Sequence, residues 1–287
     1  MLSTLIDGLS LGAIYALIAL GYTMVYGIAK MLNFAHGDII MVGAYSVLVT
    51  LMLGNNVGSR ILAVFVSIII CTVLGVCVER FAYRPLRGAS PLAVLITAIG
   101  VSYFLQGIAQ LIFEPKSRPV DFTISGSIGG IKYATIITLI VAAAIMIGLT
   151  LFVKYTKIGR AMIAVSEDRA AAQLMGINVN AIIALTFAIG SALAACASMF
   201  YLMQIPSVSP TLGAMPGIKA FTAAVIGGIG SIPGAMVGGV FLGIIEKISL
   251  SIPALAPYTT AIEFGLLIVI LLVKPSGLLG KKRREKV

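Results

Sequence analysis

An all-α polytopic bundle of membrane-spanning helices, with about eight or nine spans and two of them broken or re-entrant, is the fold class this 287-residue chain predicts. Three observations carry that expectation. Hydrophobic residues make up 60% of the chain and charged ones only 10%, against about a half and a quarter in soluble domains, and mean hydropathy is +1.10. One soluble core cannot hide that much apolar surface. The apolar residues also fall in long runs, and the basic residues gather between the runs instead of spreading over a surface.

The runs long enough to cross, or nearly so, are Leu2–Tyr26, Ile39–Leu53, Ile61–Val78, Pro91–Phe113, Tyr133–Val153, Ala181–Met203, Ile232–Leu250 and Tyr258–Val273. A shorter run, Ile218–Ile229, precedes a glycine-rich break, and Asn33–Asp38 is a polar interruption ahead of the second span. These two places predict the broken helices. Leu2–Tyr26 has no basic segment ahead of it and no small-residue cleavage pattern, so it reads as a retained span rather than a signal peptide. Ser90-Pro91, Ser209-Pro210 and Ser231-Ile232-Pro233 put a capping hydroxyl beside a proline tolerated in a first turn, and so predict helix starts. No shift in composition and no long linker divides the chain, which predicts one membrane domain over residues 1–287.

The formal charge is +10, from 20 Lys and Arg against 10 Asp and Glu. Nucleic-acid binding is one reading of that excess, but the clustering between spans fits membrane topology better, because cytoplasmic loops retain Lys and Arg. The clusters are Arg80–Arg87, Lys154–Arg169 and the tail Lys281–Lys286. Placing all three on the cytoplasmic side puts Glu114–Lys132 outside. It also requires Ile218–Ile229 to cross separately from Ile232–Leu250, giving about nine crossings with the N-terminus outside and the C-terminus inside. The alternative has eight crossings and a re-entrant Ile218–Ile229.

One charged segment between spans predicts a short helix outside the hydrocarbon. Ser166 can accept from the free N–H groups of a first turn, Glu167 and Asp168 complement the positive end of the helix dipole, and Gly176 suits a left-handed stop. A helix of about nine residues is far too short to cross a bilayer. It is either a capped linker or a rigid knob for another protein to grip. In the second case Arg169 and Glu167 are the expected polar contacts, with Ala171, Leu174 and Met175 as an apolar strip, and Asn178 following the stop.

Within the second break, Gly227, Gly228, Gly230, Ser231, Gly234 and Gly238 form a glycine ladder, with Gly230, Gly234 and Gly238 expected on one helical face for close helix packing. Ser231 and backbone groups freed at the break can also line a polar path. The first break, Asn33-Phe34-Ala35-His36-Gly37-Asp38, holds the only histidine. No second ligand sits at metal spacing, so a structural helix start is expected, with Asp38 as cap and Gly37 as hinge. Asp7, Asp38, Glu246 and Glu263 lie near apolar spans. A charge at the bilayer centre costs about 3 kcal/mol or more, which makes such acids functional candidates by default. Yet Glu246-Lys247 is near the end of its run and can pair or snorkel, and Asp7 and Glu263 are off their span centres. Their placement counts against proton or sodium coupling. Cys71, Cys77 and Cys196 all fall in apolar stretches without C-x-x-C spacing and are expected in the core.

No energy-converting site is visible in the chain. The single Gly-Lys pair, Gly280-Lys281, is followed by Lys282 rather than the Ser or Thr of a phosphate-binding loop. The one G-x-S-x-G match, Gly8–Gly12, falls inside the first apolar run rather than at a strand-to-helix elbow, and H-E-x-x-H does not occur. Energy for uphill movement would have to come from a partner.

Tyr26-Gly27-Ile28, Leu32-Asn33-Phe34-Ala35-His36-Gly37-Asp38 and Gly43-Ala44-Tyr45 resemble the N-terminal signature of the permease subunits of branched-chain amino acid ABC importers. Gly227-Gly228-x-Gly230-Ser231-x-x-Gly234-Ala235-x-x-Gly238-Gly239 is similar to the C-terminal signature. Glu167-Asp168, Ala170-Ala171 and Gly176-Ile177-Asn178 are similar to the loop such permeases insert into their ATPases. The resemblance covers nearly the whole chain. It implies the ABC importer permease fold and a non-catalytic transport subunit in a bacterial inner membrane. It also implies a second, related permease, two cytoplasmic ATPases that use ATP and Mg, and a periplasmic or lipid-anchored binding protein. Implied substrates are leucine, isoleucine and valine, or urea and short amides as in close relatives. A stand-alone secondary transporter or channel is the other reading, and a membrane enzyme using His36 and Asp38 lacks a third catalytic group.

Overall fold

The computed structural model describes residues 2–54 and 56–280. Among them run eleven α-helices: α1 (Leu2–Ala29), α2 (His36–Met52), α3 (Val57–Val78), α4 (Pro91–Phe113), α5 (Tyr133–Tyr155), α6 (Lys157–Glu167), α7 (Arg169–Leu174), α8 (Val179–Gln204), α9 (Ala214–Gly227), α10 (Ile232–Ser251) and α11 (Thr259–Val273). Seven helical segments are long and apolar enough to cross a membrane, and α2 and α9 are shorter apolar helices. The basic cluster at Lys281–Lys286 lies outside the described residues.

α1 is apolar on every side and occupies the centre of the bundle, with Ile14, Leu17, Ile18 and Leu20 fully enclosed. Its closest neighbour is α10, and small residues set that distance. A Cβ added to Gly12 would lie 2.7 Å from Val240 Cα, and Cβ atoms on Gly239 and Gly243 would run into the backbones of Ala16 and Gly12. Lipid tails supply no hydrophobic drive between helices, so this close backbone approach is what holds the pair. α3, α4, α5 and α11 form the periphery. Phe65, Tyr103, Phe104, Leu111 and Leu272 point outward from them, as suits an apolar surrounding.

The two ends of the bundle differ. At one end Arg118 and Pro119 pair antiparallel with Val208 and Ser207, Arg60 bonds Asp121, and Thr135 at the start of α5 donates to Asp7 of α1. At the other end lie the Arg80–Arg87 turn, α6, α7 and the C-terminal end of α1. Beyond α3 the chain passes through a π turn (Glu79–Tyr83) and a 3-10 turn (Arg84–Leu86) that bury Glu79 and Tyr83. Residues 205–228 start beside the first end and finish at the second, where Gly228 packs against Gly280 and Gly277. The 205–228 segment therefore runs from one end of the bundle towards the other.

Most helix starts follow the local chemistry. Ser90 accepts from Ala93 N–H and Ser231 from Gly234 N–H, each just ahead of a proline in the first turn. Ser209-Pro210 is an exception. It forms a turn, and α9 begins only at Ala214.

Candidate functional site

The charged segment between α5 and α8 forms two helices instead of one. Thr156 caps α6, accepting from Gly159 N–H, and α6 turns Gly159, Met162 and Val165 inward while Lys157 and Arg160 stay exposed. The chain breaks at Asp168, whose φ of −150° leaves the helical region. The Asp168 carboxylate accepts from Ala170 N–H at 2.8 Å and Ala171 N–H at 3.0 Å. Asp168, not Ser166, is therefore the cap. Ser166 lies inside α6 and donates to the carbonyl of Ile163, and Glu167 is the exposed last residue of α6. The carboxylate wins because it is charged and two positions closer to the orphan donors of a shorter helix.

The end of α7 is as expected. Gly176 has φ +82°, its N–H bonds Gln173 O, and Ile177 N–H bonds Ala172 O, both at 3.0 Å. This is a Schellman closure, which needs a residue without Cβ strain at that position. Asn178 then caps α8, accepting from Ala181 N–H at 3.1 Å. Leu174 is 89% exposed and Met175 83%, and Ala171 is exposed beside them.

Arg169 does not face outward as a polar contact for a partner. Its guanidinium donates to the carbonyls of Ala29 and Ile28, the unpaired C-terminal end of α1. Burial first, and the nearby Arg87 second, lower its pKa, though a guanidinium stays charged. Arg87 in turn donates to buried Glu79 and to Asn180 on α8. A cleft of 470 Å³ lined by Arg87, Arg169, Gln173, Asn178 and Asn180 opens between these anchors. α7 is thus an apolar tip fastened at its base to α1.

The two breaks are separate places. At the first, Asn33 is buried and accepts from Tyr83 OH at 2.9 Å, and its amide nitrogen has no partner. His36 is buried against Tyr22, ring centroids 4.7 Å apart, with Nε2 unpartnered. Asp38 is not a cap. It sits in the first turn of α2 and accepts from Gln106 Nε2 of α4 at 2.8 Å, satisfying a buried carboxylate across helices. Gly37 is helical rather than a hinge, and its absent side chain admits α9: a Cβ there would lie 2.5 Å from Gly213 O.

The second break lies at the far end of α9. Gly227 ends α9, Gly228 and Gly230 have φ of +112° and +92°, and Ser231 caps α10. Leu278 and Leu279 donate to the carbonyls of Ile226 and Gly227, so the segment after α11 satisfies the end of α9. Gly234 and Gly238 do form a close face, but against α9: a Cβ on Gly234 would lie 2.5 Å from Gly227 O. Gly230 precedes the helix and faces Gly27, so it is not part of that face.

Of the remaining acids, Asp7 lies off its span centre as expected, whereas Glu246 pairs elsewhere. Asp7 is exposed and bonds Thr135. Glu246 pairs with Lys219 of α9 rather than with adjacent Lys247, at 2.7 Å, and Glu263 is fully buried beside the same ammonium. Lys219 escaped sequence reasoning. Its signal was there, a single basic residue inside the apolar run Ile218–Ile229. Cys71 is buried, Cys77 and Cys196 are half-buried, and all three are free.

The described residues thus form a bundle of apolar helices that buries its polar breaks and presents an anchored, apolar helix tip at one end. Residues 4–272 match the family described as branched-chain amino acid transport system / permease component. The chain belongs to this family of ABC importer permeases. It is 46% identical to the high-affinity branched-chain amino acid transport system permease protein BraD of Pseudomonas aeruginosa, over all of this chain and 98% of that one. It is 44% identical to LivH of Escherichia coli K12, over all of this chain and 97% of that one. The probable LivH permease of Methanocaldococcus jannaschii is 29% identical over 92% of this chain and 88% of its own.

Proposed function

We propose that this chain carries branched-chain amino acids across the bacterial inner membrane, paired with a second, related permease. Two cytoplasmic ATPases supply the energy with ATP and Mg, a periplasmic or lipid-anchored binding protein delivers the substrate, and this chain binds no cofactor. The substrate class is supported by the names of the full-length relatives. The N-terminus is outside and the C-terminus cytoplasmic, which agrees with Arg80, Arg84, Arg160 and the α7 tip sharing one end of the bundle.

The observation that carries the coupling role is the exposed Leu174–Met175 tip on a helix fastened to the central helix by Arg169. An ATPase that grips α7 pulls on the end of α1, and α1 meets α10 backbone to backbone at Gly12 and Gly243. Movement of the ATPases thereby reaches the interior of the bundle and alternates access to the path. Side chains suited to the grip are Glu167, Ala171, Leu174 and Met175, with Asp168, Gly176 and Asn178 shaping the tip. The two breaks, around Asn33–Asp38 and Gly227–Gly234, supply the irregular backbone and small residues suited to a path.

The test is the double variant Leu174→Asp with Met175→Asp, purified with its partners and reconstituted. Both side chains are already exposed, so the permease should fold and insert while substrate-stimulated ATP hydrolysis and uptake are lost. Full stimulated hydrolysis in that variant would sink the coupling role.

A further inference from the structure

Inside the bundle, Lys219 of α9, Glu246 of α10 and Glu263 of α11 meet, and Tyr15 of α1 completes the group. Lys219 Nζ lies 2.7 Å from Glu246 Oε1 and 3.2 Å from Glu263 Oε1 and Oε2. Tyr15 OH donates to Glu246 Oε2 at 2.7 Å. Glu246 therefore has the Tyr15 hydroxyl on one oxygen and the Lys219 ammonium at ion-pair distance from the other. Glu263 has only a share of one ammonium, and its Oε2, close to Nζ but without hydrogen-bond geometry, has no hydrogen-bond partner in a side chain that is 0% exposed.

The charges do not balance. Two carboxylates face one ammonium, a net charge of −1 in a site where no residue of the group exceeds 9% exposure. The groups that face it from the packed elements do not repair this. Tyr201 of α8 and Tyr15 are phenols, Lys247 follows Glu246 but makes no ion pair with the group, and Tyr258 ahead of α11 is exposed. A buried carboxylate left without a counter-charge or a full set of donors takes up a proton instead of staying ionised. One proton would remove the excess charge and turn the unpartnered oxygen into a hydroxyl.

We propose that Lys219, Glu246 and Glu263 form a proton-binding site that holds one proton, carried on Glu263, whose carboxylate keeps an unpartnered oxygen. The site ties α9, α10 and α11 together, so losing the proton at alkaline pH puts an unpaired negative charge among three packed helices and slows their movement. A protonated carboxyl is read by its infrared band without any transport, so the site can fail or hold independently of the transport role.

The experiment is infrared difference spectroscopy on the protein in its purified complex in lipid, titrated from acid to alkaline pH in H2O and D2O. A protonated-carboxyl C=O band that shifts in D2O is expected near neutral pH in the native protein. It should be lost in Glu263→Gln and kept in Glu114→Gln, which alters an exposed acid. Transport measured on the same preparations should fall at alkaline pH in the native protein, and that fall should be lost in Glu263→Gln, which mimics the protonated acid. Glu263→Asp should keep the band at a shifted frequency, and it serves as the decisive variant if Glu263→Gln is not recovered. Absence of the band from the native protein, its persistence in Glu263→Gln, an unshifted band in Glu263→Asp, or replacement of the alkaline fall by a sodium or potassium requirement would each overturn the proposal.

Discussion

Arg169 of α7 donates to the carbonyl of Ala29, so the apolar tip of the chain is bonded to the last turn of its most enclosed helix. A charged donor on an otherwise unpaired helix end contributes about 1.5–3 kcal/mol. Arg169→Met keeps the stem and removes the donors. The variant should insert and bind ATPase, because Leu174 and Met175 are untouched, yet ATP hydrolysis should lose most of its dependence on binding protein. Arg169→Lys should rescue in part, since both carbonyls accept from a single guanidinium nitrogen, a role an ammonium can fill, but on a shorter stem and without the planar fork. Unchanged stimulation in Arg169→Met, measured in reconstituted complexes, would show that the bond carries no force.

The close approach of α10 to α9 makes a second prediction. Gly234→Leu puts a branched side chain where Gly227 O already sits 2.5 Å from a bare Cβ, and overpacking costs about 1–3 kcal/mol or more. Its control is Gly265→Leu on α11, where a Cβ meets nothing within 4 Å. Yield of folded protein and thermal stability in detergent should drop for the first and hold for the second. Equal behaviour of the two would mean that the α9–α10 face is looser than its geometry.

The grouping of loops predicts sidedness. Cysteines placed at Arg84 and Arg160 should react only with reagents that reach the cytoplasm, and one placed at Ser117 should also react with impermeant reagents added outside. Labelling of Ser117→Cys and Arg160→Cys from the same side would contradict the division of the bundle into two ends.

Much of this architecture is legible in the sequence because hydrocarbon imposes simple demands. Long apolar runs, basic clusters and Ser-Pro starts located α4 at Pro91–Phe113 to the residue. What stayed hidden depended on distant partners. Asp38 looked like a cap until Gln106, far along the chain, supplied its hydrogen bond, and Glu246 seemed suited to adjacent Lys247 until Lys219 came within 2.7 Å. Arg169 reads as a surface charge unless the carbonyls of α1 are known to end beside it. Within a segment, competition between caps was the harder matter, since Ser166 and Asp168 both suit the role and only the break in α6 decides between them.

Gly176 gives the last prediction, because its environment separates backbone strain from packing. At φ +82° it holds the Schellman closure, and a Cβ there would meet nothing within 4 Å. Any penalty on substitution is therefore conformational, about 1–2 kcal/mol for an ordinary side chain in the left-handed region and more for a β-branched one. Gly176→Val should unwind the end of α7 and redirect Leu174 and Met175, while α8 keeps its own start through Asn178. Gly176→Asn, which tolerates left-handed backbone, should behave nearly as the native protein. Binding-protein-stimulated ATP hydrolysis should then rank glycine, asparagine and valine in that order, with membrane insertion equal for all three. If valine matches glycine, the direction of the tip does not matter to the partner, and α7 is a linker rather than a coupling element.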